Sequence, residues 1–160
     1  MLRSLALAAM LALFLAGCAG QPPEPDPVRR ALQNLSDRAV DRVLQVEALQ
    51  PPEDQVLLLV APEVDTSLGI ESERFLENLT RALLGVSDGP QVIDWRPAMS
   101  GEGRSHQWKL ESRLEATAPR LTLSDRDLLP YRLTLTLHHP DKEGAVWQTD
   151  IDGAFDATAL

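Results

Sequence analysis

The sequence predicts an α+β fold, a small mixed sheet of about five strands with two covering helices. Three patterns predict it. Apolar residues recur three and four apart in 28–49 and again in 72–83, the period of an amphipathic helix. Val56–Val60 is a short unbroken apolar run, the mark of a central strand covered on both faces. The last third alternates apolar and polar residues, the mark of half-buried strands. Helix, strand, helix, strand and then three strands is the order of an α+β domain.

The chain starts with a targeting segment. Arg3 gives a short positive start, and Leu5 to Leu15 are all Leu, Ala, Met or Phe. That run is shorter than the roughly 20 apolar residues a membrane span needs. With small residues at its end it reads as a secretory signal over 1–17. Leu15-Ala16-Gly17-Cys18 resembles a bacterial lipobox. The resemblance implies that the Cys18 thiol is acylated, that the chain is cut before it, and that the new amino terminus is acylated too. The other reading is an ordinary cleaved signal beside a chance cysteine. Two or more acyl chains make anchoring stable, at about 0.8 kcal/mol per buried CH₂. Ala19 follows where aspartate would favour the inner membrane, which implies the outer membrane of a two-membrane bacterium, facing the periplasm.

Loss of Arg3 with residues 1–17 takes the formal charge from −9 to −10. Such a chain repels phosphates, which argues against nucleic acid as a partner, and it gains little from an anionic lipid surface. Cys18 is the single cysteine, so an intrachain disulfide framework is excluded even where the compartment permits one. The length suits one domain, taken as 28–160, joined to Cys18 by a short proline-rich tether over 18–27.

The tether reads QPPEPDP from Gln21 to Pro27, an extended, solvated composition. Asp26-Pro27 has the form of a helix start, with Asp as the cap and Pro in the first turn. Leu32, Leu35, Ala39, Val43 and Val46 then share one face of a helix reaching Leu49, with a break expected near 34–37, where Ser36 would cap a second segment. Gln50-Pro51-Pro52 ends it, and Val56–Val60 follows as the central strand. After a loop with Pro62, Asp65, Thr66 and Gly69, Ser72 is the expected cap of a helix with Phe75, Leu79, Ala82 and Leu83 on one face. Asp88-Gly89-Pro90 is a turn, 91–95 a short strand, and 97–105 a loop.

Three alternating strands complete the chain. Trp108, Leu110, Ser112, Leu114 and Ala116 oppose Lys109, Glu111, Arg113 and Glu115. Tyr131, Leu133, Leu135 and Leu137 oppose Arg132, Thr134, Thr136 and His138. Trp147, Thr149, Ile151 and Phe155 oppose Gln148, Asp150 and Asp152. The turn between the last two strands lies in 139–144, which makes them a hairpin.

This order, over roughly Leu32 to Phe155, resembles the C-terminal domain of LpoB-type penicillin-binding-protein activators, related in fold to the amino-terminal domain of TolB. Four stretches carry the resemblance. They are Val56 to Ala61, Thr66 to Leu83 with Ile70-Glu71-Ser72 before the helix, Gln91-Val92-Ile93-Asp94, and Tyr131 to Leu137 with Gly144-Ala145-Val146-Trp147. Three departures stand out. Val64 occupies the Asn position of an Asn-x-Thr loop, the stretch from Trp95 to Trp108 is too short for a second sheet-covering helix, and the tether is shorter than the family's. The resemblance implies a non-catalytic domain that activates a peptidoglycan synthase, a bifunctional penicillin-binding protein, by docking.

Catalytic and cofactor motifs are sparse. His138, His139 and Asp141 adjoin one another, but a metal needs further ligands in fixed geometry, and a solvated hairpin tip is preferred. Asp150 and Asp152 share a strand face, either as a carboxylate pair or as a solvated surface, with the second preferred. Gly101-Glu102-Gly103 lacks the third glycine and the strand context of a dinucleotide loop. His106 has no nucleophile beyond adjacent Ser105. Trp95, Trp108 and Trp147 are expected in the core rather than as a stacking platform. The sequence therefore predicts a lipoprotein with a protein partner, no catalytic residue, no cofactor and no metal. Cys18 is its one assigned site, and partner-binding residues stay open. The competing expectation is a structural or assembly lipoprotein that binds another envelope component.

Overall fold

The computed structural model describes residues 27–97 and 105–157. Helix α1 is Pro27–Leu44 and is continuous through the expected break. Asn34, Ser36 and Asp37 are poor helix formers at a few tenths of a kcal/mol each. Leu32, Leu35, Ala39, Val40 and Val43 are buried along the same helix, the leucines and valines worth about 1.5–3 kcal/mol each. Packing thus outweighs propensity, and Ser36 lies inside the helix, fully buried, rather than capping a second one. Its hydroxyl has no hydrogen-bond partner among the described residues.

The helix stops earlier than its apolar period, because Val46 and Leu49 are carried by a 3₁₀ turn at Glu47–Leu49. The Gln50 side-chain amide donates to the carbonyls of Leu44 (2.7 Å) and Val46 (3.5 Å). Carbonyls left open at a helix end are satisfied in this way.

Strand β1, Val56–Leu59, is buried at all four positions, as a central strand should be. It pairs in parallel with both β3 (Gln91–Asp94) and β4 (Gln107–Ala116). Strand β2, Glu63–Val64, resumes beside β4 after the chain leaves β1. Helix α2, Ser72–Leu84, connects β1 and β3. Its cap is Glu71, in extended conformation and without a side-chain bond, and Ser72 is the first helical residue. The Phe75 N–H reaches the Glu71 carbonyl at 3.1 Å, so the ladder opens one residue before the serine.

Strand β5 is Leu121–Thr122, β6 is Asp127–His138 and β7 is Ala145–Asp156, the last two forming the expected hairpin. The principal order is β3–β1–β4–β6–β7, with β2 and β5 extending the ladders on β4 and β6. The fold is α+β, two helices on one face of a mixed sheet.

Register decides which side chains face the helices. Leu57 aligns with Val92 and Trp108, Leu110 with Leu137, Leu114 with Leu133, and Leu133 with Ile151. These residues line the helix-covered side, and Phe75, Leu79 and Leu83 of α2 meet them there in one core. Helix α1 packs on α2 and reaches β7.

The tryptophans depart from expectation. Trp147 occupies the helix-covered face opposite Leu137, but it is half-buried, as are Trp108 and Trp95. All three sit near strand ends, where large amphipathic rings keep one edge wet. The Trp108 indole donates to Gln55 Oε1 at 3.0 Å, and the Lys109 ammonium lies 4.9 Å from the centre of the Trp95 ring.

Candidate docking surface

The face of the sheet away from the helices is polar and open. Lys109, Glu111, Arg113 and Glu115 of β4 align with His138, Thr136, Thr134 and Arg132 of β6, and the last three align in turn with Gln148, Asp150 and Asp152 of β7. Strict alternation puts every one of them on this side. The part of this face from Glu111 to Glu115 and from Thr134 to His138, with Val60, Ala61 and Glu63, floors a shallow depression of about 580 Å³.

Charges on this face are matched pairwise. Arg132 forks onto Asp152, at 2.8 and 3.2 Å, and lies 3.8 Å from Asp150. The Thr134 hydroxyl donates to Asp150 at 2.8 Å. Hydrogen bonding from Arg132 holds the Asp152 carboxyl below its ordinary value, and the same contact raises the guanidinium. The two aspartates are therefore brought together, but around a cation and on an open face, as the preferred reading of a solvated surface had it. Arg113 bonds Glu63 at 2.7 Å, tying β4 to β2, and Lys109 meets Glu111 at 3.1 Å.

The histidine cluster does not converge. His138 stands between the Gly144 carbonyl, 3.2 Å from Nδ1, and Glu111, 3.3 Å from Nε2. His139 turns to the other side, edge-on to Trp108 with ring centres 5.4 Å apart, and accepts the Asp141 N–H at 3.3 Å. Among the described residues no group of three or more His, Cys, Asp or Glu is arranged to hold a metal ion. The His106 carbonyl accepts from Val56 N–H at 2.8 Å, a backbone role at the start of β4. Cys18 and the Gly101–Gly103 segment lie outside the described residues.

Two further features escape sequence reasoning. Asp65 accepts the Ser67 N–H at 2.8 Å and faces the Ala116 N–H at 3.4 Å, fastening the loop after β2 to the end of β4. Hydrogen bonding from Ser67 lowers its carboxyl. On the helix side, Arg38 of α1 reaches the hydroxyl of Tyr131 (3.3 Å) and the main-chain carbonyl of Asp152 (3.0 Å). Helix α1 is thereby latched onto β7, the outer strand of the hairpin. Of these, the sequence singled out only Asp65, as a loop residue without its partners.

No family model matches the chain, and no curated protein matches it by sequence. Solved structures do match. The LpoB C-terminal domain from Salmonella enterica aligns at 15% identity over 76% of this chain and 97% of that one, with a TM-score of 0.50. The same domain from Escherichia coli aligns at 14% identity, again over 76% and 97%, with a TM-score of 0.50. Lipoprotein GNA1162 from Neisseria meningitidis aligns at 11% identity over 65% and 85%, with a TM-score of 0.47. The resemblance read from the sequence holds at the level of fold: about three quarters of this chain share the architecture of the LpoB C-terminal domain.

Proposed function

We propose that the chain is a lipid-anchored envelope protein whose domain binds a protein partner and does no chemistry of its own. The observation that carries this reading is the setting of Asp150 and Asp152. A catalytic carboxylate pair works in a closed site that pushes its two pKa values apart. Here Arg132 and Thr134 occupy both carboxylates on an exposed sheet face. A rigid surface of matched charges suits recognition.

In this proposal residues 1–17 are removed as a signal, Cys18 carries the acyl chains, 18–27 is the tether, and 28–160 is one periplasm-facing domain at the outer membrane. The fold shared with the LpoB domain supports a bifunctional penicillin-binding protein as partner, activated by docking. A second reading, an assembly protein for another outer-membrane component, is favoured by the docked α1. Ten residues from Cys18 to Pro27 reach roughly 35 Å at 3.3–3.6 Å each, so the domain stays near its membrane.

Crosslinked envelopes carrying the intact lipoprotein test both parts. Mass spectrometry should find Cys18 acylated at the mature amino terminus, and Cys18→Ser should leave the precursor uncut. Capture should recover a peptidoglycan synthase. An unmodified Cys18 would remove the anchor, and recovery of outer-membrane proteins alone would favour the second reading.

A further inference from the structure

The outer strands β3 and β7 border the sheet in different ways. At β7 the Arg38 guanidinium already holds the Asp152 carbonyl at 3.0 Å, and Asp150 and Asp152 put two carboxylates on the strand's open face. Inward-latched cations and edge charges are how sheets refuse added strands. The β3 edge has no such cation latched onto its main chain among the described residues. The N–H groups of Gln91 and Trp95 both bond inward, to Gln55 (2.9 Å) and Leu59 (2.7 Å) of the β1 side. Alternation then turns the N–H and C=O of Val92 and Asp94 outward.

Helix α2 overhangs this edge with a second stripe, distinct from its core face. Leu76, Thr80 and Leu84 lie on it, and with Asp94 they border a groove of about 490 Å³. Leu84 is 65% exposed, the most exposed of the large apolar side chains among the described residues. The rim is acidic, with Glu73 and Asp94, while Glu77 is matched by Arg81.

We propose that the groove between α2 and the β3 edge docks an extended segment of a protein partner by strand addition. The added strand pairs with Val92 and Asp94, sets alternate apolar side chains against Leu76 and Leu84, and carries basic residues toward Glu73 and Asp94. Main-chain bonds supply affinity in this mode, and pockets for alternate side chains supply selectivity. The acidic rim selects the sign of the flanking charges. This inference rests on the protein-binding reading above and names the kind of segment recognised.

The test uses the mature chain with Cys18→Ser, which keeps it in solution, and a synthetic peptide of alternating leucine and threonine flanked by lysines. Amide resonances of Val92 and Asp94 should shift, with those of Leu76, Thr80 and Leu84. Leu84→Lys, on an exposed position, should weaken binding about tenfold or more, the loss of one apolar contact. Replacing the flanking lysines with glutamates should weaken it too. Val92→Pro, which removes one outward N–H at an edge where proline is tolerated, gives an independent arm once circular dichroism shows the fold intact. Shifts confined to β7, or equal binding by Leu84→Lys and the parent, would overturn the proposal. Capture from crosslinked envelopes separates the two levels. A partner recovered equally by parent and Leu84→Lys sinks the groove alone, whereas recovery of no protein by either sinks the protein-binding reading with it.

Discussion

The ring of Tyr131 lies across Gly153, its partner on the neighbouring strand, so closely that a Cβ at Gly153 would stand 2.4 Å from Oη and 2.5 Å from Cζ. The same ring stacks on Phe155, with centres 4.2 Å apart, and its hydroxyl receives Arg38 of α1. One missing side chain thus lets hairpin and helix meet. Gly153→Ala should destabilise the domain by about 1–3 kcal/mol, the usual range for overpacking. Tyr131→Phe, which loses one hydrogen bond, should cost about 0.5–1.5 kcal/mol. Urea denaturation of both variants checks the order, and a neutral Gly153→Ala would contradict this packing.

Tyr131 is the single tyrosine of the chain, so ultraviolet titration reads it directly. Burial raises its pKa above the ordinary value, with Arg38 opposing. Ionisation should begin above the range of free tyrosine, and Arg38→Gln should move it higher still. A raised folded pKa contributes stability that is present below about pH 10 and is lost as pH rises through the folded value. An ordinary midpoint for the native protein would count against the buried ring.

At the acid end the sign reverses. The Asp152 carboxyl is lowered by Arg132, so its contribution is present above the unfolded pKa of about 3.9 and is lost as pH falls through the folded value. Asp152→Asn should melt below the parent near neutrality, and the two should converge between about pH 4 and pH 2. Both groups are exposed, so the difference is small and added salt should shrink it. A gap that persists in acid would point to another cause.

Burial ranks the hairpin side chains. Ile151 and Phe155 are buried, 4% and 2% exposed, while Trp147 is half-buried on the same face. Phe155→Ala should cost about 3–5 kcal/mol, as in other cores. Trp147→Ala should cost about half of that, since much of the ring keeps its contact with water. Gln148→Ala, on the open face, should be mild. Thermal melts of the three check the order, and a larger loss at Trp147 than at Phe155 would reverse it.

These outcomes show where the sequence spoke and where it was silent. Alternation over 107–116, 131–138 and 147–155 named the faces of three strands correctly, because a period of two survives any partner. The continuous apolar run at β1 and the stripe of α2 were equally plain. Strands β2 and β5 have two residues each, too few for any period. The break at Ser36 was a local propensity overruled by Leu32 and Leu35, whose burial depends on the assembled core, and the cap fell one residue before Ser72, at Glu71. Trp147 was placed on the right face but too deep, since alternation fixes side and says nothing of distance from the sheet's end. The groove beside β3 exists only because that strand is an edge, and strand order is invisible in a single chain. Cys18, by contrast, is read wholly from its neighbours.

The unequal edges also bear on crowding. Lipid anchors would hold many copies in one plane, where collisions are frequent and a sheet with two open edges extends from copy to copy without limit. With the Asp152 carbonyl of β7 engaged by Arg38, that edge is a poorer template for a further strand than the edge of β3. The latch that fastens helix to hairpin thus also works against growth from β7, where a dense lawn of domains would otherwise find a second template.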